Sequence, residues 1–327
     1  MLRQTSLLVS LVALIDRLPG PSEPAKRPRG RPRTYSDRLL VKALVIMIIR
    51  RLYTAYALLT FLDQEEPVAQ QMRLLLHEHG RFPTRRTWER RLAALPQHLP
   101  GLIGCCGRHL VAVLQPWASH GRAVAVASPP LKTRGGVWHK KHKEKGEIPH
   151  TSIDTEAGWS KSGWQGWWYG WKLHLAVTVG TVWIPLAAEL TVANRGDNEV
   201  APLLLEQLPW EARYVLGDTH YNDPTLRHYC QAQGRELVAT RRGAYPHRDG
   251  SVEVRRIFHK LRSQAIEPFN GLFKNVFEWR TQMPVKGLRR SQLLALGAIV
   301  LYQLALLYQH EQHLPVGKGI KPLLRAA

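Results

Sequence analysis

The sequence predicts an α/β fold, a mixed sheet flanked by helices and preceded by an N-terminal helical, basic region. Three observations carry this. Beyond about residue 120, short β-rich runs alternate with helix-periodic ones, a pattern that lays helices on the faces of a partly parallel sheet. The first third of the chain has helical periodicity with no strand signal. Lys and Arg outnumber Asp and Glu by 46 to 25 in 327 residues, a formal net charge of +21. An excess of that size attracts a polyanion, most commonly nucleic acid. Its clustering argues against a merely soluble basic protein.

The three cysteines, Cys105, Cys106 and Cys230, make neither a disulfide framework nor a zinc pattern, and a reducing compartment is expected. LLVSLVALI (Leu7 to Ile15) has the length of a signal-peptide core but is followed by Asp16 and Arg17, and reads as a short docking helix. Residues 21–33 are rich in Pro, Gly and Arg. Within them, Arg29, Arg31 and Arg33 have the composition either of a hook into a narrow minor groove or of a solvated basic linker. Ser36 and Asp37 then cap an apolar-periodic helix from about Arg38. In FPTRRTWERRL, Thr84 caps a helix that carries Arg85, Arg86, Arg90 and Arg91 with only Glu89 to balance them. We read it as a groove- or phosphate-contacting helix, with a solvated charged face as the alternative. Pro and Gly interrupt the helices at 96–107, and the domain boundary is expected near His120.

After it come an apolar strand, Val124 to Ala127, and two β-rich runs, KLHLAVTVG and WIPLAAEL, that predict an antiparallel hairpin. A helix over about 198–208, a strand over 212–217, a helix over 224–233, a strand over 236–240 and a long helix over 254–278 complete the sheet and its covering. The apolar run Leu293 to Tyr308 is shorter than the roughly 20 residues that span a bilayer and carries Gln303, so a buried core helix is expected and no membrane partner. Residues 1–120 thus form the helical region, 121–310 the sheet domain and 311–327 a basic C-terminal tail.

In open sheets with parallel strands, sites form beyond the carboxyl ends of neighbouring strands. Asp218 follows the strand in YVLGDTHYND, where a carboxylate faces the crevice rather than a buried interior, or else caps a loop. Along the last helix Ile266, Phe269, Phe273 and Phe277 form a core stripe. Glu267 and Lys274 share an adjacent face two turns apart, an arrangement able to serve a metal and a phosphate. Trp159, Trp164, Trp167, Trp168 and Trp171 lie among Lys161 and Lys172, a pattern that suits stacking on unpaired bases and equally a hydrophobic cluster under a loop. WHKKHKEKG reads as a phosphate-contacting or disordered basic loop.

Taken together, RGRPRTYSD, FPTRRTWERRL, YGWKLHL, ANRGDN, LGDTHYND and RSQAIEPFNGLFK resemble the DDE transposases of bacterial insertion sequences, which carry a ribonuclease-H-like catalytic domain. The resemblance spans nearly the whole chain. It implies a cytoplasmic, nucleoid-associated protein acting on double-stranded DNA, namely the inverted-repeat ends of its element and the target, as a homodimer when assembled. It further implies Mg²⁺-dependent phosphodiester cleavage and strand transfer at a two-metal site.

Matched motif by motif, the second acid falls on Asp218 and the third on Glu267, as metal ligands, with Lys274 and Arg262 near phosphates and Lys172 at DNA. The first acid falls on Ala127. Family members read Asp-Ser-Thr-Pro-Leu where this chain reads Ala127-Ser128-Pro129-Pro130-Leu131. An alanine methyl coordinates nothing, so impaired cleavage is expected. The alternatives are a DNA-binding relic that occupies transposon ends and a nuclease with another acid arrangement. Asp154 and Glu156 are candidates for rescue of the site, for loop structure or for DNA contact, and Asp197 for a helix cap.

Overall fold

In the computed structural model, residues 6–20, 34–117, 122–162, 166–239 and 251–327 are described. The chain divides into two compact units, Met1–His109 with Leu293–Ala327, and Leu110–Gln292. The division thus falls earlier than His120, and the apolar C-terminal helix belongs with the helical unit rather than with the sheet. The expected basic tail ends in a helix of its own, Ile320–Ala326.

The helical unit begins with α1 (Leu7–Leu14), which buries Leu8, Leu11, Val12 and Leu14 and is the docking helix the sequence suggested. In α2 (Asp37–Ile49) the Ser36 hydroxyl accepts from the Leu39 N–H at 3.2 Å, as its sequence predicts. Next come α3 (Ala55–Leu62), α4 (Pro67–Leu75), α5 (Arg85–Ala94) and α6 (Leu99–Leu114), with Thr84 capping α5 through the Thr87 N–H. Arg29, Arg31 and Arg33 lie outside the described residues.

The sheet unit holds β1 (Ala123–Ala127), β2 (Pro130–Lys132), α7 (Lys140–Glu144), β3 (Gly158–Ser162), β4 (Gly166–Thr178) and β5 (Pro185–Val192). After these come α8 (Asp197–Leu205), β6 (Tyr214–Gly217), α9 (Pro224–Ala232), β7 (Glu236–Ala239) and α10 (Ser251–Val276). The run WHKKHKEKG therefore contains a short exposed helix, α7, in place of the loop expected there. Two strands escaped the sequence reading. β2 is only three residues long, and β3 lies within the tryptophan cluster, where alternation is weak.

β4 is the spine of the sheet. Along one edge it pairs antiparallel with β2 and then β1, and along the other with β3 and then β5. Parallel strands continue outward from β1 to β6 and β7. β1 is buried along its whole length, which explains its unbroken Ala-Val-Ala-Val-Ala run: a strand covered on both faces has no polar alternation to show. α10 lies against β1, β4, β6 and β7, α8 against β4 and β5, and α9 against β7. The expected stripe is real, with Ile266, Phe269 and Phe273 buried and Phe273 flanked by Phe269, Phe277 and Trp279.

α11 (Leu288–Glu311) is the one described helix long and apolar enough to cross a membrane. Its residues from Leu293 on are core of the helical unit, with Ile299, Val300, Tyr302 and Leu304 buried. Gln303 reconciles its polarity with that core by donating through Nε2 to the Ile103 carbonyl at 2.9 Å. At the start of α11, Asp154 Oδ2 accepts from the Gly287 N–H at 2.8 Å and Glu156 Oε2 from the Leu288 N–H at 2.7 Å. Two carboxylates 130 residues upstream thus satisfy free N–H groups and the positive end of the helix dipole. Asp154 is 2 % exposed and also accepts from the Glu156 N–H, so both acids serve the fold. Asp154→Ala is expected to cost roughly 1–2 kcal/mol in chemical denaturation. Glu156→Ala, at the more exposed bond, should cost less.

Candidate functional site

β1 and β6 run parallel with Ala123 opposite Tyr214, Val124 opposite Val215 and Ala125 opposite Leu216. Two steps further along this register stand Ala127 and Asp218, level with each other across strands about 5 Å apart. The two strand-end positions singled out in the sequence thus lie side by side. Ala127 is 7 % exposed and pairs on its other side with Leu175 of β4.

The Asp218 carboxylate is well occupied. Oδ1 accepts from the His220 N–H at 2.9 Å, capping a short 3₁₀ turn over Thr219–Tyr221, and lies 3.3 Å from His220 Nδ1. Oδ2 accepts from Arg262 Nη2 at 3.5 Å. Arg262 comes from the buried face of α10 and is 8 % exposed, so Asp218 is the acid that offsets a largely buried guanidinium. The strand can turn this tightly because Gly217 precedes it. A Cβ there would meet Tyr221 Cβ at 2.6 Å. Tyr221 is fully buried beneath the site. Its pKa is driven well above the ordinary phenol range by burial first, then by Asp197 and Asp218, with Arg262 opposing.

A second, buried polar group adjoins this one. Lys172 Nζ donates to Asp197 Oδ1 at 2.9 Å and to the Arg195 carbonyl at 3.0 Å, and the pair is 15 % and 7 % exposed. Lys172 is therefore an internal partner, not a free cation for DNA. Asp197 is the first residue of α8 and lies under the helix N-terminus, one position past the cap expected of it. His174 Nδ1 lies 4.0 Å from the same carboxylate, while Nε2 meets Thr191 Oγ1 at 2.9 Å. Burial lowers the His174 pKa to about 4 despite Asp197, so the ring is neutral at pH 7. The sequence reading missed this group, although ANRGDN and YGWKLHL contain its parts.

Glu267 occupies a different position. On α10 it is solvent-exposed, about 140° round the helix from Arg262 at 3.6 residues per turn. Lys274, further along, is half-buried, and its pKa is lowered by burial and then by Lys132 of β2. Among the described residues no three His, Cys, Asp or Glu side chains gather at metal-binding spacing. The donor set at the strand ends is one carboxylate held by an arginine, a neighbouring histidine and an alanine methyl. It does not fit a two-metal oxygen site, which needs several carboxylate oxygens and a net negative charge.

The arginines of α5 divide into two kinds. Arg91 Nη2 donates to Asp37 at 2.7 Å and Nη1 to the Tyr35 carbonyl, so it fastens α5 to α2. Arg85 bonds Glu89 at 2.8 Å and stacks over Tyr56. Arg86 and Arg90 are exposed and make no ion pair among the described residues. On the β3–β4 hairpin, Trp159 packs against Tyr169 and Trp167, and Lys161 lies over Trp167, which is 66 % exposed. Trp168 and Trp171 are core, and Trp164 lies outside the described residues.

The transposase DDE domain family matches residues 139–304, just over half the chain, and the match begins beyond β1 and Ala127. A solved piggyBac transposase synaptic complex with hairpin DNA is similar at a TM-score of 0.45 and 11 % identity, covering 98 % of this chain and 76 % of that one. No curated protein sequence matches the chain.

The neutral His174 carries a pH prediction. Its folded pKa lies below the unfolded value near 6.5, so the unfolded chain binds the proton more tightly. Stability is fully present above about pH 6.5 and falls as pH drops toward 4, by up to about 3 kcal/mol. Denaturation midpoints measured across that window should show the loss, and His174→Gln should flatten it.

Proposed function

This chain belongs to the transposase DDE domain family, and on that premise we propose that it binds the inverted-repeat ends of its own insertion element with a ribonuclease-H-like sheet unit whose phosphodiester cleavage is disabled at Ala127. The strand order β5-β4-β1-β6-β7, antiparallel for the first three and parallel for the rest, supports the ribonuclease-H-like reading. The observation that carries the functional reading is the level placement of Ala127 and Asp218 at adjacent strand ends. The acid expected there would stand beside Asp218 and share Arg262 with it. Without it, one carboxylate faces one arginine, and the crevice lacks the excess negative charge that would attract Mg²⁺.

Arg262 is a natural phosphate contact in this state. Its guanidinium shares Asp218 at the long end of hydrogen-bond distance, and its Nε has no protein partner although buried. Glu267 and Lys274 remain the candidates for the third acid and a phosphate contact, and Arg86 and Arg90 are the cations of α5 free to reach DNA. Occupancy of DNA ends without cutting would make the protein a competitor of active copies.

Two experiments test this reading. Purified protein should retard end-sequence DNA in a mobility assay while nicking none in Mg²⁺ or Mn²⁺, and Ala127→Asp should introduce divalent-dependent nicking. Efficient nicking by the unaltered chain would overturn the reading. In the same assay, Arg86→Gln with Arg90→Gln should weaken binding several-fold and reduce the slope of log affinity against log salt by about 2. Arg91→Gln should instead register chiefly as lost thermal stability, because it removes the Asp37 pair.

A further inference from the structure

At the end of the sheet away from Asp218, three arginines stand in one row. Arg122 precedes β1, Arg213 precedes β6 and Arg235 precedes β7. The parallel registers, Ala123 with Tyr214 and Tyr214 with Glu236, set them level on adjacent strands. The backbone bonds Arg213 N–H to Arg122 C=O and Glu236 N–H to Arg213 C=O, both 2.8 Å, fix the row directly. Neighbouring strands are about 4.8 Å apart, so the backbones of Arg122 and Arg213, and of Arg213 and Arg235, are held that close.

The three are not equivalent. Arg235 is spent on the fold: it donates to the carbonyls of Leu208, Pro209 and Ala212 and to the Gln233 side chain, and so closes the loop before β6. Arg122 makes no side-chain hydrogen bond or ion pair among the described residues, and Arg213 reaches only the Gly234 carbonyl, at 3.5 Å. Both lie over one indole, Trp210, each with Cζ 5.8 Å from the ring. That tryptophan is 69 % exposed. The acids nearby do not neutralise the row: Glu236 is 3.9 Å from Arg227, and Glu211 makes no ion pair among the described residues. Arg122, Arg213, Arg235, Tyr214, Gln231 and Gly234 line an open groove of about 600 Å³, with Glu236 as the one acid in its lining.

We infer that this groove is a second nucleic-acid site, in which Arg122 and Arg213, beside the indole of Trp210, grip the phosphodiester backbone. Planar guanidinium forks bind phosphate oxygens in pairs, and an aromatic face holds such a fork in place without consuming its N–H donors. The groove is not part of the Asp218 crevice, because the four residues of β6 lie between Arg213 and Asp218, five steps or about 16 Å at 3.3 Å each. The chain thus has room to hold one DNA segment at the crevice and another behind the sheet. Duplex and single-stranded DNA offer the same phosphodiester chemistry.

The inference rests on DNA being the partner, and one titration separates the two claims. Full-length protein is titrated with fluorescent random-sequence duplex and, separately, single-stranded DNA over a range of salt. The expected result is that Arg122→Gln with Arg213→Gln weakens at least one of them about tenfold and lowers its salt slope by about 2. Arg122→Lys with Arg213→Lys, which keeps charge but not the fork, should fall between. Should the Gln pair fail to fold, as judged by circular dichroism, the Lys pair and Trp210→Ala decide, each expected to weaken binding at least threefold. Unchanged affinity and slope in the variants, with normal binding by the unaltered chain, would overturn this inference alone. No binding of either DNA by the unaltered chain would overturn it, and failure to retard end-sequence DNA as well would overturn the proposed function with it. Displacement of bound DNA by polyglutamate as effective as by unlabelled DNA of equal charge would assign the groove to an acidic protein partner and likewise overturn it.

Discussion

The contact between Asp218 and Arg262 governs how the crevice behaves. A guanidinium this deeply buried needs a compensating charge, and the carboxylate at the end of β6 supplies it at 3.5 Å. With an acid beside it on β1, Asp218 would be one of two carboxylates sharing one arginine, and the surplus charge would be available to a cation. With Ala127 in that place the account balances within the protein. The pair also serves the fold: a buried arginine with one acid is tolerable, whereas a buried arginine with none would not be.

The other polar groups of the sheet unit that could serve the strand ends are committed elsewhere. Lys172 and Asp197 form their own pair, His174 is neutral, and Asp154 and Glu156 are committed to the first turn of α11. None of these acids is at liberty to join Asp218 at the strand ends. Asp154 and Glu156 would leave helix N–H groups exposed on one strand of the exchange and Lys172 would be orphaned on the other.

Much of this was legible in the sequence. The strand ending at Asp218, the long helix with its Phe stripe, the caps at Ser36 and Thr84 and the core character of the last apolar helix follow from periodicity and capping chemistry, which are local. What escaped was non-local. Lys172, read as a DNA contact, is turned inward by Asp197, a partner 25 positions away that no spacing rule connects to it. Arg91, read the same way, is taken by Asp37. Asp154 and Glu156 meet their helix only after 130 residues of intervening chain. The row of Arg122, Arg213 and Arg235 is invisible until the parallel register aligns three separate strand starts. β2 and β3 were missed because neither is long enough to show alternation.

Binding of Mn²⁺ to the unaltered protein, followed by electron paramagnetic resonance of the free ion, decides whether the strand ends hold a cation. The account predicts no saturable site at micromolar concentrations, and no difference between the unaltered chain and Asp218→Asn. A stoichiometric, tightly held ion that disappears in Asp218→Asn would show that Asp218 gathers enough negative charge without an acid on β1, and would contradict it.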